Sequence, residues 1–127
     1  MIKTRVLICG DRHYNNRKLI REYLETLPKD TVVIEGEADG ADTIAREESV
    51  KLGLTVVPFP AFWDRYGKAA GPIRNTVMLV KGKPDLVVPF HNHYEKSIGT
   101  FDMVQKAKHA KVKVVMTYCK RSKGIPW

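Results

Sequence analysis

No apolar run in the 127 residues approaches the roughly 18 needed to cross a bilayer, so a membrane-spanning protein is excluded. The apolar stretch after Met1-Ile2-Lys3-Thr4-Arg5 stops at Cys9-Gly10-Asp11-Arg12, short of the roughly 7–15 residues of a signal-peptide core. It reads instead as a first strand, and the protein is expected to stay where it is made, in the cytoplasm. Cysteine is scarce as well. Cys9 and Cys119 fall near the ends of the first and last strands, and with one strand between them they stand about 9–10 Å apart. A disulfide tolerates about 7 Å between Cα atoms, so free thiols in a reducing compartment are expected. The dinucleotide fingerprint G-x-G-x-x-G is missing, which disfavours a standard NAD site.

Acidic residues run out after Asp102, while Lys106, Lys108, Lys111, Lys113, Lys120, Arg121 and Lys123 follow, within a formal charge of +8. This end is either a solvated helix face with a basic tail from about residue 119, or an electrostatic footprint for nucleic acid. Only Tyr118 and Trp127 accompany it as stacking aromatics, so nucleic acid is not the favoured partner. A hydrophobic fraction of 43% and a charged fraction of 28% are ordinary for one globular domain over residues 1–127.

Short β-rich runs alternate with helical periods. Arg5–Cys9, Thr31–Ile34, Leu54–Val57, Asp85–Phe90 and Val112–Met116 are the strands, several of them continuously apolar, as strands covered on both faces are. Leu19, Ile20, Tyr23, Leu24 and Leu27 form the first helical stripe, with Asn15 or Asn16 as its cap. A second helix runs from about Gly40 to Leu52, a third from Gly71-Pro72 to near Gly82, and a fourth from Gly99-Thr100 through Ala110. Each strand is followed by a crossover, which requires a parallel sheet wound right-handedly. The long connection from Pro58 to Gly71 is where the chain crosses the sheet. The expected architecture is therefore a three-layer α/β Rossmann-like domain, five parallel strands in the order 3-2-1-4-5, with the switch point between strands one and four.

Ligands of such sheets sit outside the carboxyl ends of the strands at that point. Four loops reach it. In Gly10-Asp11-Arg12 the glycine permits a sharp turn and Arg12 offers a planar donor fork, unless this is a tight turn with a surface arginine. In Glu35-Gly36-Glu37-Ala38-Asp39-Gly40-Ala41-Asp42, Asp39 and Asp42 are either a cap and a first-turn charge or acceptors for a ribose hydroxyl. The block Ala61 to Asn75 carries Trp63, Lys68 and Gly71, and sets Arg74 and Asn75 in the first turn of a helix. Cations are disfavoured there, so an arginine at that position points to a bound anion. Gly99-Thr100-Phe101-Asp102 opens another helix, its hydroxyl and amides suited to a phosphate or merely to capping. His91, His93 and Glu95 precede it in a polar loop with no further clear ligand, so no metal site is expected. Phe59, Phe62, Trp63 and Tyr66 crowd one connection, which points to a homodimer interface.

In chain order, Gly10-Asp11-Arg12, Gly36 to Asp42, Trp63 to Asn75 and Gly99 to Asp102 resemble the YspA/YpsA-related branch of the SLOG superfamily, common in phages and bacteria. The block Tyr66-Gly67-Lys68-Ala69-Ala70-Gly71-Pro72-Ile73-Arg74-Asn75 is its most specific part. The resemblance implies a Rossmann-like fold that binds a nucleotide or nucleotide-derived signal, such as a nucleoside monophosphate or an ADP-ribose-type ligand, with no further cofactor. Its relatives, the Lonely Guy phosphoribohydrolases, cleave the base from a nucleoside monophosphate with a P-G-G-x-G-T-x-x-E motif and an arginine at a helix start. Arg74 matches that arginine, and Asp102 follows Gly99-Thr100 at the interval of the acid. Here Tyr94-Glu95-Lys96-Ser97-Ile98 stands where Pro-Gly-Gly is usual, and aspartate replaces glutamate. The expectation is a binder or sensor; the alternative is an N-glycosidase with Asp102 and Arg74 as catalytic residues.

Overall fold

The computed structural model describes residues 3–119. Five parallel strands, β1 (Arg5–Gly10), β2 (Val32–Glu35), β3 (Thr55–Pro58), β4 (Leu86–Phe90) and β5 (Lys113–Val114), lie in the order β3-β2-β1-β4-β5. The sheet is the expected one, with β1 central and its partners in register from Leu7 to both Ile34 and Val87. The helices α1 (Arg17–Glu25) and α2 (Ala41–Lys51) cover one face. The other is covered by α4 (Ala70–Gly82) and α5 (Ile98–His109). Side chains alternate across the strands accordingly. Val6, Ile8, Val33, Val88 and Phe90 pack under α1 and α2, while Leu7, Val32, Ile34 and Val87 meet Met78, Met103 and Ala107.

α1 starts where its cap allows it to: the Asn16 side chain accepts from the Leu19 amide at 3.2 Å. Glu48 of α2, fully buried, ties the two helices of that face by accepting from Arg17 of α1 at 2.6 Å, and the same oxygen accepts from Lys51 of its own helix at 3.2 Å.

Several boundaries differ from the sequence reading. The connection after β3 is not irregular. It folds into the four-residue α3 (Trp63–Tyr66) and a 3-10 turn, Gly67–Ala69, that runs straight into α4. α4 therefore begins at Ala70, Pro72 is its third residue, and Arg74 and Asn75 sit past the first turn. Their amides bond within the helix, so the unpaired amides of a helix start do not lie at these two residues. The helix of Gly99-Thr100 starts one residue earlier, at Ile98, with Ser97 as cap and its hydroxyl accepting from the Thr100 amide at 3.1 Å. β5 shrinks to two residues before a 3-10 turn at Met116–Tyr118. Phe59, counted with the exposed aromatics, packs against the core beside Gly82 and Ile34. Both cysteines are buried, and neither forms a disulfide. Residues of the basic tail beyond Cys119 lie outside those described, and among the described residues no helix is long and apolar enough to cross a membrane.

Candidate functional site

The loops after β1 and β2 meet at the carboxyl edge of the sheet. Gly10 ends β1 against Phe90, and the next amide, Asp11, donates to the Phe90 carbonyl at 3.0 Å. The Asp11 carbonyl accepts from Tyr14 at 3.0 Å and from Ala41 at 3.1 Å, which locks the start of α2 onto the β1 loop. Gly40 holds a φ of +71° there, and a Cβ on it would collide with the Asp11 carbonyl. The Asp11 carboxylate closes a turn by accepting from the His13 amide at 2.9 Å. Arg12 projects into solvent with no hydrogen bond or ion pair among the described residues.

The β2 loop hangs on two buried carboxyls. Asp42, expected as a ligand acceptor or a cap, turns its Oδ2 inward to the Gly36 amide at 3.0 Å and the Ala38 amide at 3.2 Å. Burial pushes its carboxyl up to about 6, against the pull of the Arg74 guanidinium and those amides. Glu35, which the sequence reading passed over, ends β2 with no exposed surface. Its Oε1 accepts from the Glu37 amide at 2.6 Å, its Oε2 has no hydrogen-bond partner, and the nearest cation is Arg46 at 3.9 Å. Burial pushes this carboxyl up to about 7. Period-two alternation from Val33 was the signal that could have found it, since it sets residue 35 on the face under α2. Glu37 takes the left-handed φ of 55°, and both it and Asp39 are exposed.

Arg74 binds this loop to the far side of the site. Its Nη1 donates to the Gly36 carbonyl, and its Nε donates to Asn75 Oδ1 at 2.9 Å. The guanidinium lies so close to Gly36 that a Cβ at position 36 would collide with it. Of the five N–H donors of an arginine, two are spent in this way and three remain. Asn75 is 3% exposed, and its Nδ2 donates to the Gly99 carbonyl at 3.3 Å and to Asp102 Oδ2 at 3.0 Å. Every polar atom of that amide is thus engaged, and it links α4 to α5. Asp102 Oδ2 also accepts from Lys106 at 2.9 Å, and Lys106 donates onward to the Pro72 carbonyl at 2.7 Å. Gly36, Arg74, Asn75, Gly99 and Asp102 therefore form one hydrogen-bonded chain across the edges of β2, α4 and α5. Thr100 stands apart from it: the residue is buried and its amide is taken by Ser97. Lys68 is exposed and unpaired among the described residues, and Trp63 lies on α4 at Gly71. No cluster of three or more metal-ligating side chains occurs among the described residues.

Residues 4–66 match the family described as YspA, cpYpsA-related SLOG family. The Gene 61 protein of Mycobacterium phage D29 is 32% identical over 120 residues, covering 87% of this chain and 94% of that protein. Among solved structures, DNA processing protein A (DprA) from Streptococcus pneumoniae superposes with a TM-score of 0.72 at 17% identity. That match covers 88% of this chain and 49% of DprA, so the chain spans about half the length of that protein and shares its fold. The chain belongs to the YspA, cpYpsA-related SLOG family.

Proposed function

We propose that this protein binds a phosphate-bearing, nucleotide-derived ligand, a nucleoside monophosphate or an ADP-ribose-type molecule, at the carboxyl edge of its sheet. One observation carries the reading: Arg74 is held by two hydrogen bonds with three donors left over, beside the loop that leaves β2 at the carboxyl edge of the sheet. A guanidinium fixed before the ligand arrives loses little freedom on binding, which is the condition for a tight anion contact. The exposed Arg12 and Lys68 add positive potential at the same edge. Family membership and the DprA-like fold support a nucleotide- or DNA-related role, and a phage relative fits action in a host cytoplasm.

Asp102 favours binding over base cleavage. The oxygen that faces Asn75 also holds Lys106, so this carboxylate ties α4 to α5. Isothermal calorimetry with AMP and ADP-ribose, followed by chromatography of the same mixtures for free base, tests the proposal. Binding without release of base is the expected result. Binding with release would make the protein an N-glycosidase, and no binding of either compound would sink the phosphate-site reading. A homodimer covering Phe62 and Tyr66, which are 60% and 39% exposed, belongs to the same reading. Light scattering should return twice the chain mass at micromolar concentration, and a monomer mass would dispose of it.

A further inference from the structure

Trp63 opens α3, yet its indole does not point into the core. It lies on α4 against Gly71, where a Cβ would stand 3.3 Å from Trp63 Cη2, so the glycine forms the seat of the ring. The ring remains 58% exposed and presents its outer surface to solvent. Gly71 precedes Arg74 by three residues, about 4.5 Å along the helix and on neighbouring stripes of one side. The seat of the indole and the root of the guanidinium are therefore a single helical step apart.

The surroundings separate Trp63 from the other exposed rings. Tyr66 is occupied by the guanidinium of Arg65, 5.3 Å from its ring centroid. Phe62 caps α3 and is 60% exposed. A hollow of about 370 Å³ lined by Ala61 to Arg65 opens beside Trp63, within the range of small-molecule sites. Charge fits an anionic occupant: Arg65, Lys68 and Arg74 follow Trp63 along the chain, with Asp64 as the one acid among them.

Resting on the phosphate site above, we infer that Trp63 is the stacking platform for a planar aromatic base of the same ligand, which makes the ligand class a nucleotide and not a bare sugar phosphate. An indole whose benzo edge rests on a glycine leaves most of its ring exposed, and stacking on such a ring tolerates any base because every base has a π-face.

The test uses Trp127→Phe as background, leaving Trp63 as the only tryptophan. AMP should quench the indole emission, while ribose 5-phosphate should compete with AMP and leave the emission unchanged. Trp63→Leu should weaken AMP at least about fivefold, keep ribose 5-phosphate within about twofold, and leave the circular dichroism unaltered; Trp63→Phe, which keeps a ring, should restore most of the affinity. AMP binding by calorimetry with unchanged emission and an unaffected Trp63→Leu affinity would overturn the inference and leave the phosphate site standing. A Trp63→Leu variant that loses only its dimer mass would overturn it equally. If none of AMP, ADP-ribose and ribose 5-phosphate binds, the phosphate site fails and this inference falls with it.

Discussion

Replacing Arg74 with alanine weakens AMP binding at least tenfold and leaves the protein folded. The guanidinium has three donors free for a phosphate, and a charge-assisted, two-pronged contact contributes about 1.5–3 kcal/mol, of which 1.4 kcal/mol already corresponds to a factor of ten. The fold survives because the bonds that are lost, to the Gly36 carbonyl and to Asn75, are partly exposed, so water replaces the missing partner. Asp102→Asn is the companion variant. It removes an ion pair with Lys106 but no ligand contact, and should bind AMP as the parent does. Calorimetry alongside thermal melting reads both. An Arg74→Ala protein that melts far below the parent, with unchanged affinity per folded molecule, would show that Arg74 is a strut and that the phosphate lies elsewhere.

Glu35→Gln should make the protein more stable than its parent at pH 8 and no more stable at pH 4. The carboxyl of Glu35 titrates near 7 in the folded chain because burial disfavours its charge, against an ordinary value near 4.5. A raised folded-state value means that the native protein holds the proton more tightly than the unfolded chain. The resulting stability is fully present below pH 4.5 and is lost as the pH rises through 7. At pH 8 the parent buries a charge whose Oε2 has no hydrogen-bond partner, at a cost on the order of 2 kcal/mol that glutamine does not incur. Asp42, raised to about 6 by burial, gives a slope of the same sign in both proteins. His91, which burial lowers, cancels in the difference, whereas the charge of Asp42 also raises Glu35 and so enters it. Urea unfolding at four pH values between 4 and 8 measures that difference. A constant gap between the two proteins would mean that folding leaves the proton affinity of Glu35 at its ordinary value.

The sheet was legible because its strands are apolar runs too short for helices, separated by helical periods, and one long connection marked the reversal. What the sequence hid is local. Trp63–Tyr66 is too short to show a helical period, so α3 read as loop and α4 acquired the wrong first residue. That single shift moves Arg74 and Asn75 out of the first turn, beyond the reach of the positive end of the helix. The two residues nevertheless belong to the site, through side-chain bonds that no spacing rule reveals. Ser97 as the cap of α5 could have been read, since a serine three residues before the Thr100 amide is a standard capping interval. Asp42 and Glu35 illustrate the opposite difficulty. Both are charged letters in a loop sequence, and only the packing of α2 over β2 shows that they hold the loop from within.

The central place of β1 also sets an order of events in time. Its partner on one side, β2, begins 22 residues after β1 ends, and β3 is complete at Pro58, so half of the sheet can pair early. The partner on the other side, β4, ends only at Phe90. At a synthesis rate of roughly 5–20 residues per second, the chain between Pro58 and Phe90 takes roughly 2–6 s to emerge. For that interval the second edge of β1 has unpaired amides and carbonyls flanked by Val6, Leu7 and Ile8, a template for another chain. Mutations that slow the arrival of β4 should therefore reduce yield more than they reduce the stability of the finished molecule.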